Sequence, residues 1–152
     1  AFGKITLFFC AGAIFEATGK KKISQMVGIG KRMPITMIAF FIGSLSIVGI
    51  PLAGGFWSKF YLLYGTVQEG HYAMLAVLLT SSLLNAAYFF PIVFKAFFCK
   101  PEESQFEAKV EEAHPAAVAA LSLTALVTVV FFFYPEPFYS LAEAAASQFI
   151  SF

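Results

Sequence analysis

Lysine in apolar surroundings is the side chain in this sequence best suited to chemistry. Lys59 follows GIPLAGGFWS and precedes FYLLYG, so its amine stands among residues fit for a lipid interior. Holding an ordinary lysine neutral at pH 7 costs about 4.6 kcal/mol, and placing a charged one at the centre of a membrane helix costs about 2.5–3.5 kcal/mol. The two costs are comparable, so an amine placed there can exchange a proton, as a relay requires. The plainer alternative is a lysine that snorkels, or one that pairs with a carboxylate of another helix. Lys4, ahead of ITLFFCAGAIF, is a second candidate, divided between a membrane-edge position and an internal one. In SSLLNAAYFF, Ser81, Asn85 and Tyr88 share one helix face, which suits either the lining of a hydrated path or hydrogen bonding between helices. Cys10 and Cys99 lack metal-ligand spacing and read as free thiols, and His71 and His114 fall at the ends of apolar runs, where imidazoles are normally solvated. No metal and no cofactor is expected.

The elements that position these residues follow from composition. Only 12% of the 152 residues are charged and 59% are apolar, against about 25% charged in a soluble domain, which makes this a membrane protein. The net charge of +1 gives no footing for a nucleic-acid partner. Charge-free runs at Met33–Ser58, Tyr72–Phe94 and Pro115–Pro135 predict three spans, and Ile5–Phe15 reads as the last part of another. The chain has neither an initiator Met nor a signal-peptide pattern, and reads as a C-terminal fragment that opens inside the membrane. The expected fold is all-α, a polytopic transmembrane helix bundle. Its single membrane domain divides into a partial span 1–15, a loop 16–33, a broken span 34–65, a span 72–98, a loop 99–114, a span 115–135 and a tail 136–152.

The second span is too long for one straight helix. Pro34 to Gly65 would extend about 48 Å, against a hydrocarbon core of about 30 Å. Gly49, Pro51, Gly54 and Gly55 predict two half-helices joined by an unwound stretch, since proline removes a donor and glycine admits non-helical dihedrals. Lys59 then falls near the N-terminus of the second half, roughly 10 Å from its far end. A helix N-terminus repels a cation, and desolvation also favours the neutral amine. Gly43, Ser44, Ser46 and Gly49 form a small-residue strip that predicts close helix packing.

Lys20, Lys21, Lys22, Lys31 and Arg32 fall in the first loop, and Lys95, Lys100 and Lys109 follow the third span. The TVQEGH turn and the tail have no Lys or Arg, so the positive-inside rule puts the two basic loops in the cytoplasm and the turn and C-terminus outside, in the cell (inner) membrane. GKKK is also suited to anionic lipid. The tail PEPFYSLAEAAASQFISF is too short and polar to span and reads as a short amphipathic helix in the outer interface or against a neighbour.

AFGKITLFFCAGAIF, MVGIGKRMPITMIAFFIGSLSIVGIPLAGGFWSKFYLLYG and LLTSSLLNAAYFFPIVFKAFF together resemble the C-terminal part of the antiporter-like membrane subunits shared by respiratory complex I, membrane-bound hydrogenases and Mrp-type Na+/H+ antiporters. GGFWSK and SSLLNAAYF are most similar to the D-type member of the Mrp branch. The resemblance covers Ala1 to roughly Lys100. It implies an inverted-repeat transporter fold with a broken helix in each repeat, of which this chain holds the end of the second. It further implies that Lys59 is the broken-helix lysine near the outward half-channel. Lys4 would be the central-axis lysine of a His-x-x-x-Lys pattern whose histidine would immediately precede Ala1. The implied function is a proton-translocating subunit, itself without cofactor, that passes protons through Lys4 and Lys59 among other membrane subunits in the lipid bilayer, with protons and, in an antiporter, Na+ as the ions moved. Redox chemistry elsewhere in the complex or a cation gradient would supply the energy. Two other readings stand beside it: a structural membrane subunit without transport of its own, and a secondary transporter that uses the broken helix as an organic-solute site.

Overall fold

The computed structural model describes residues 1–19, 22–99 and 112–150, the side chains of 148–150 excepted. Lys20 and Lys21 of the basic cluster, Lys100 and Lys109 of the second basic loop, and residues 151–152 lie outside the described residues. The helices are α1 (Phe2–Thr18), α2 (Pro34–Val48), α3 (Gly55–Gln68), α4 (Tyr72–Phe98), α5 (Pro115–Phe133) and α6 (Glu136–Ile150), with short 3-10 turns at Ile23–Gln25 and Ile29–Lys31. There is no strand among the described residues.

Local chemistry sets the ends of these helices. Gly19, at φ 66°, closes α1 by donating its N–H to the Phe15 carbonyl at 2.7 Å. Proline opens both α2 and α5 at the first turn, where its missing N–H has no partner to lose. His114 caps α5, its Nδ1 accepting from the Ala116 N–H at 3.3 Å, so this imidazole has a structural task. Pro91 lies inside α4 without ending it.

The helix α2 is the hub, packing on α1, α5, α4 and α3. Its contact with α1 brings the two backbones together. A Cβ on Gly43 would lie 3.1 Å from the Gly3 carbonyl oxygen, and one on Gly3 would lie 2.9 Å from the Ser46 Cβ. Between lipid-solvated helices van der Waals packing is the main attraction, and small residues let it act at close range. Cys10, Ala13 and Ile14 of α1, Met37, Ala39 and Phe40 of α2, Ile92 and Ala96 of α4, and Leu121 and Ala125 of α5 form the buried core with Ile29 and Met33. At the same end of the bundle the Gly28 N–H donates to the Lys95 carbonyl at 3.1 Å, satisfying one of the last carbonyls of α4.

The outer faces are apolar: Phe8 is 83% exposed, Leu83 71% and Phe98 74%. Such faces would be a liability in water and suit helices surrounded by lipid or by other membrane helices. Both α4 and α5 are long and apolar enough to cross a membrane, whereas α2, with 15 residues, is not. A crossing built on α2 needs α3 to complete it. The last helix, α6, touches the bundle through aromatic pairs, Phe131 with Phe138 at 4.5 Å and Tyr61 with Tyr139 at 5.2 Å.

One long-range contact was invisible to local sequence patterns. The Glu112 carboxylate, just before α5, accepts from the Ile35 N–H at 2.8 Å, the Thr36 N–H at 3.5 Å and the Thr36 hydroxyl at 2.8 Å. These amides belong to the first turn of α2, whose N-terminal residues Met33 and Pro34 supply no side-chain cap. A carboxylate there satisfies orphan donors and complements the helix dipole. Replacing Glu112 with Ala should destabilise the full-length protein by about 1–2 kcal/mol, the usual cost of a lost N-cap. A lowered thermal midpoint in detergent, with the helical content of the folded state unchanged, is the expected reading.

Candidate functional site: a lysine held at a helix break

A helix interrupted in an apolar setting strands carbonyls on one side of the gap and N–H groups on the other, and each needs a partner. Between Val48 and Gly55 the partners come from three helices. The Leu45 carbonyl accepts from the N–H groups of Gly49 and Ile50 at 2.9 and 3.1 Å. On the far side, the Gly55 N–H donates to the Ser46 hydroxyl at 3.2 Å and the Phe56 N–H to the Ala53 carbonyl at 3.0 Å. The Gly54 N–H reaches the Thr128 carbonyl of α5 at 2.8 Å, and the Trp57 indole N–H reaches the Phe132 carbonyl, near the end of α5, at 2.8 Å.

The carbonyl of Val48, the last residue of α2, is taken by Lys59. Its Nζ donates to that oxygen at 3.0 Å and to the Ser82 hydroxyl of α4 at 2.8 Å. One amine therefore ties the end of α2 and the middle of α4 to α3. This arrangement adds to the electrostatic expectation for Lys59. Position along the chain points only to the N-terminus of the second half-helix, which repels a cation. In the fold the ammonium meets the C-terminus of the first half-helix, the negative end of that dipole.

Glycine serves two purposes at the break. Gly49 adopts φ 84°, and a Cβ built on it would lie 2.5 Å from the Lys59 Cδ, so the lysine stem runs through the space a side chain would fill. Gly54 and Gly55, expected to supply unusual dihedrals, do not: Gly54 is right-handed helical at φ −59°, and Gly55 begins α3. What they supply is closeness. A Cβ on Gly54 would lie 2.8 Å from the Phe131 Cβ, and one on Gly55 would collide with the Ser46 carbonyl oxygen. The second left-handed position in the break belongs to Leu52, at φ 96°, immediately after Pro51. Backbone strain at a non-glycine residue of this kind, about 1–3 kcal/mol, persists only where the surroundings enforce it.

The other predicted residues fall differently. Lys4 is exposed and makes no side-chain hydrogen bond among the described residues, although its neighbour Gly3 packs directly on Ser46 of the break. The face Ser81, Asn85, Tyr88 is not the one α4 turns inward: Ser81 is exposed, Tyr88 is 56% exposed and only Asn85 is half-buried. The inward stripe is Ser82, Asn85, Phe89, Ile92 and Ala96, which shares Asn85 with the predicted face and is turned part of a residue's step from it, because the contact with α2 is set by Ile92 and Ala96. Two adjacent serines are equally polar, and nothing local selects Ser82. Beside the break lies a cavity of about 730 Å³ walled largely by Phe2, Trp57, Tyr61, Phe131 and Phe138, with Glu143 as its acidic group. Lys59 does not line it.

Fold and site thus define a helical membrane protein whose broken helix holds a half-buried lysine. Residues 1–85 match a family model described as NADH:quinone oxidoreductase/Mrp antiporter, TM, and the chain belongs to this family. NADH-quinone oxidoreductase subunit N of Desulforudis audaxviator is 46% identical over 91 residues, covering 60% of this chain and 18% of that protein. F(420)H(2) dehydrogenase subunit N of Methanosarcina mazei is 32% identical over 161 residues, covering 100% of this chain and 32% of that protein. The chain therefore spans about a third or less of these relatives. In three dimensions it superposes on a chain of the Mrp complex from Dietzia sp. with a TM-score of 0.83 at 20% identity, covering 97% of this chain and 35% of that one, a likeness of fold.

Because Gly49 provides both the left-handed turn and the passage for the lysine stem, Gly49→Ala should be costly. About 1–2 kcal/mol is expected from the backbone conformation alone, with a further loss from displacing Lys59. Thermal melting of the full-length protein in detergent would read this, and a midpoint equal to that of the native protein would show that the passage is not tight.

Proposed function

We propose that this chain forms part of a proton-translocating, antiporter-like subunit of a multisubunit membrane complex, with Lys59 as a proton carrier at the helix break. The observation that carries the reading is the double hydrogen bond of the Lys59 amine to the Val48 carbonyl and the Ser82 hydroxyl. A half-buried amine in an apolar setting needs acceptors to hold its charge and a route by which to lose it, and the break offers both kinds of group. Lys4 is the second relay residue in this proposal, supported by the packing of Gly3 against the wall of the break. Membrane subunits of the same complex are the partners. Protons, and in an antiporter Na+, are the ions moved, and oxidation chemistry or a cation gradient in other chains provides the energy.

The orientation is proposed from charge. The basic first loop and the segment after α4 face the cytoplasm, while the α3–α4 turn and α6 face outward in the cell membrane. The organic-solute alternative would place the lysine in the wall of a ligand cavity. Instead the amine is engaged with backbone and hydroxyl, and the neighbouring cavity is walled by other residues.

The test is proton movement into inverted membrane vesicles that contain the full-length chain in its native complex, comparing native protein with Lys59→Ala. Near-complete loss of the pH gradient, with assembly equal on a native gel, is expected. An undiminished gradient would reduce Lys59 to a structural cation and overturn the reading.

A further inference from the structure

A proton leaving Lys59 has few places to go. Of the helices packed on α3, α2 and α5 carry no ionisable side chain, and those of α4, Tyr72, Tyr88 and Lys95, are exposed and make no hydrogen bond to the amine. Of the two acceptors that touch the amine, the Val48 carbonyl can hold the charge but cannot pass a proton on, because it has none to release in exchange. The Ser82 hydroxyl can do both.

The Ser82 hydroxyl, like that of Ser46 at the break, is used as an acceptor. Intramembrane Ser and Thr commonly donate to a carbonyl one turn back. Thr80, two residues earlier on the same helix, does so, donating to the Ala76 carbonyl at 2.8 Å. Ser44 donates likewise to Phe40 at 2.7 Å, Thr128 to Thr124 at 2.8 Å and Thr6 to Phe2 at 2.9 Å. Ser82 instead accepts from Lys59, and among the described residues its own proton is given to no carbonyl. Asn85, half-buried one turn further along the same stripe, keeps that side of α4 polar. A hydroxyl with its proton uncommitted at the point of contact with a half-buried ammonium has the parts of a hydroxyl relay.

We infer that Ser82 is the hydroxyl through which Lys59 exchanges its proton. The step balances as a concerted transfer. One N–H bond of the ammonium breaks as a new O–H bond forms at Oγ, while the original Ser82 O–H bond breaks and its proton passes to a water molecule. Lys59 is left neutral, Ser82 is left as it began, and the water becomes hydronium. The inference rests on the proton-carrier reading of Lys59 above.

The test compares Ser82→Thr with Ser82→Val in the full-length chain within its native complex, two variants matched in shape that differ in the hydroxyl. Proton movement into inverted vesicles is measured alongside native protein and Lys59→Ala, with assembly checked on a native gel. Ser82→Thr should stay within about twofold of native, and Ser82→Val should fall by about tenfold or more, the worth of at least one hydrogen bond. Equal rates in the two variants, whether both high or both low, would overturn the inference, since the hydroxyl would then be unnecessary or the position only a matter of packing. Full transport by Lys59→Ala would instead strike at the underlying carrier reading, a different outcome seen in a different variant.

Discussion

An interrupted helix in an apolar surrounding leaves backbone polar groups with no water to receive them, and most of what is particular about this protein answers that constraint. Between Val48 and Gly55 each end of the gap is satisfied from nearby: Leu45 by the tight turn at Gly49, Gly55 by Ser46, Gly54 by Thr128, and Val48 by Lys59. The last of these is chemically different. Its donor bears a titratable proton, so the closing of a backbone gap and the holding of a charge are one contact. Removing the proton from Lys59 weakens the bond that joins α2 to α3. A change of charge at this position is therefore also a change in how the half-helices are held.

The rest of the bundle sets where that contact lies. The glycine-lined approach of α1 to α2 at Gly3 and Gly43 brings the start of α1 against Ser46, two residues from Val48. At the other end of α2, Glu112 holds the first turn. The Gly28–Lys95 bond and the Ile92 and Ala96 packing fix the rotation of α4, which turns Ser82 rather than Ser81 toward the lysine. On the far side of the break, α5 contributes two backbone acceptors, the Thr128 carbonyl to Gly54 and the Phe132 carbonyl to Trp57, and packs the Phe132 ring against Phe56 and Trp57. Several weak interactions, each of about a kilocalorie per mole, thus converge on the placement of one amine.

Much of the fold could be read from the chain. Long uncharged stretches separated by basic or turn-forming segments already imply helices of membrane-crossing length. The excess length of residues 34–65, with its Gly-Ile-Pro-Leu-Ala-Gly-Gly core, implies an interruption in one of them. The site was legible in part. Lys59 stands out because a lysine in such a stretch is costly. Its partners do not stand out, because they are ordinary groups: a backbone carbonyl and one of two neighbouring serines. The Ser81, Asn85, Tyr88 face has helical spacing, but period gives the angle between residues and not which way the helix faces, and within this chain it is Ser82 and Asn85 that turn inward.

What the sequence determined by itself was the kind of solvent, the helical content, the place of the break and the residue whose charge is hardest to accommodate there. All of these follow from composition and local stereochemistry. The tertiary structure alone decided what that residue touches. The Lys59 amine meets the C-terminus of α2 because the chain folds back at Gly49, and it meets Ser82 because packing at Ile92 and Ala96 rotates α4. Gly54 and Gly55 allow close approach where unusual dihedrals had been expected, because α5 and the last turn of α2 lie against them. Contacts between residues distant in the chain depend on the rotation and depth of each helix against its neighbours, and no local pattern of residues encodes those.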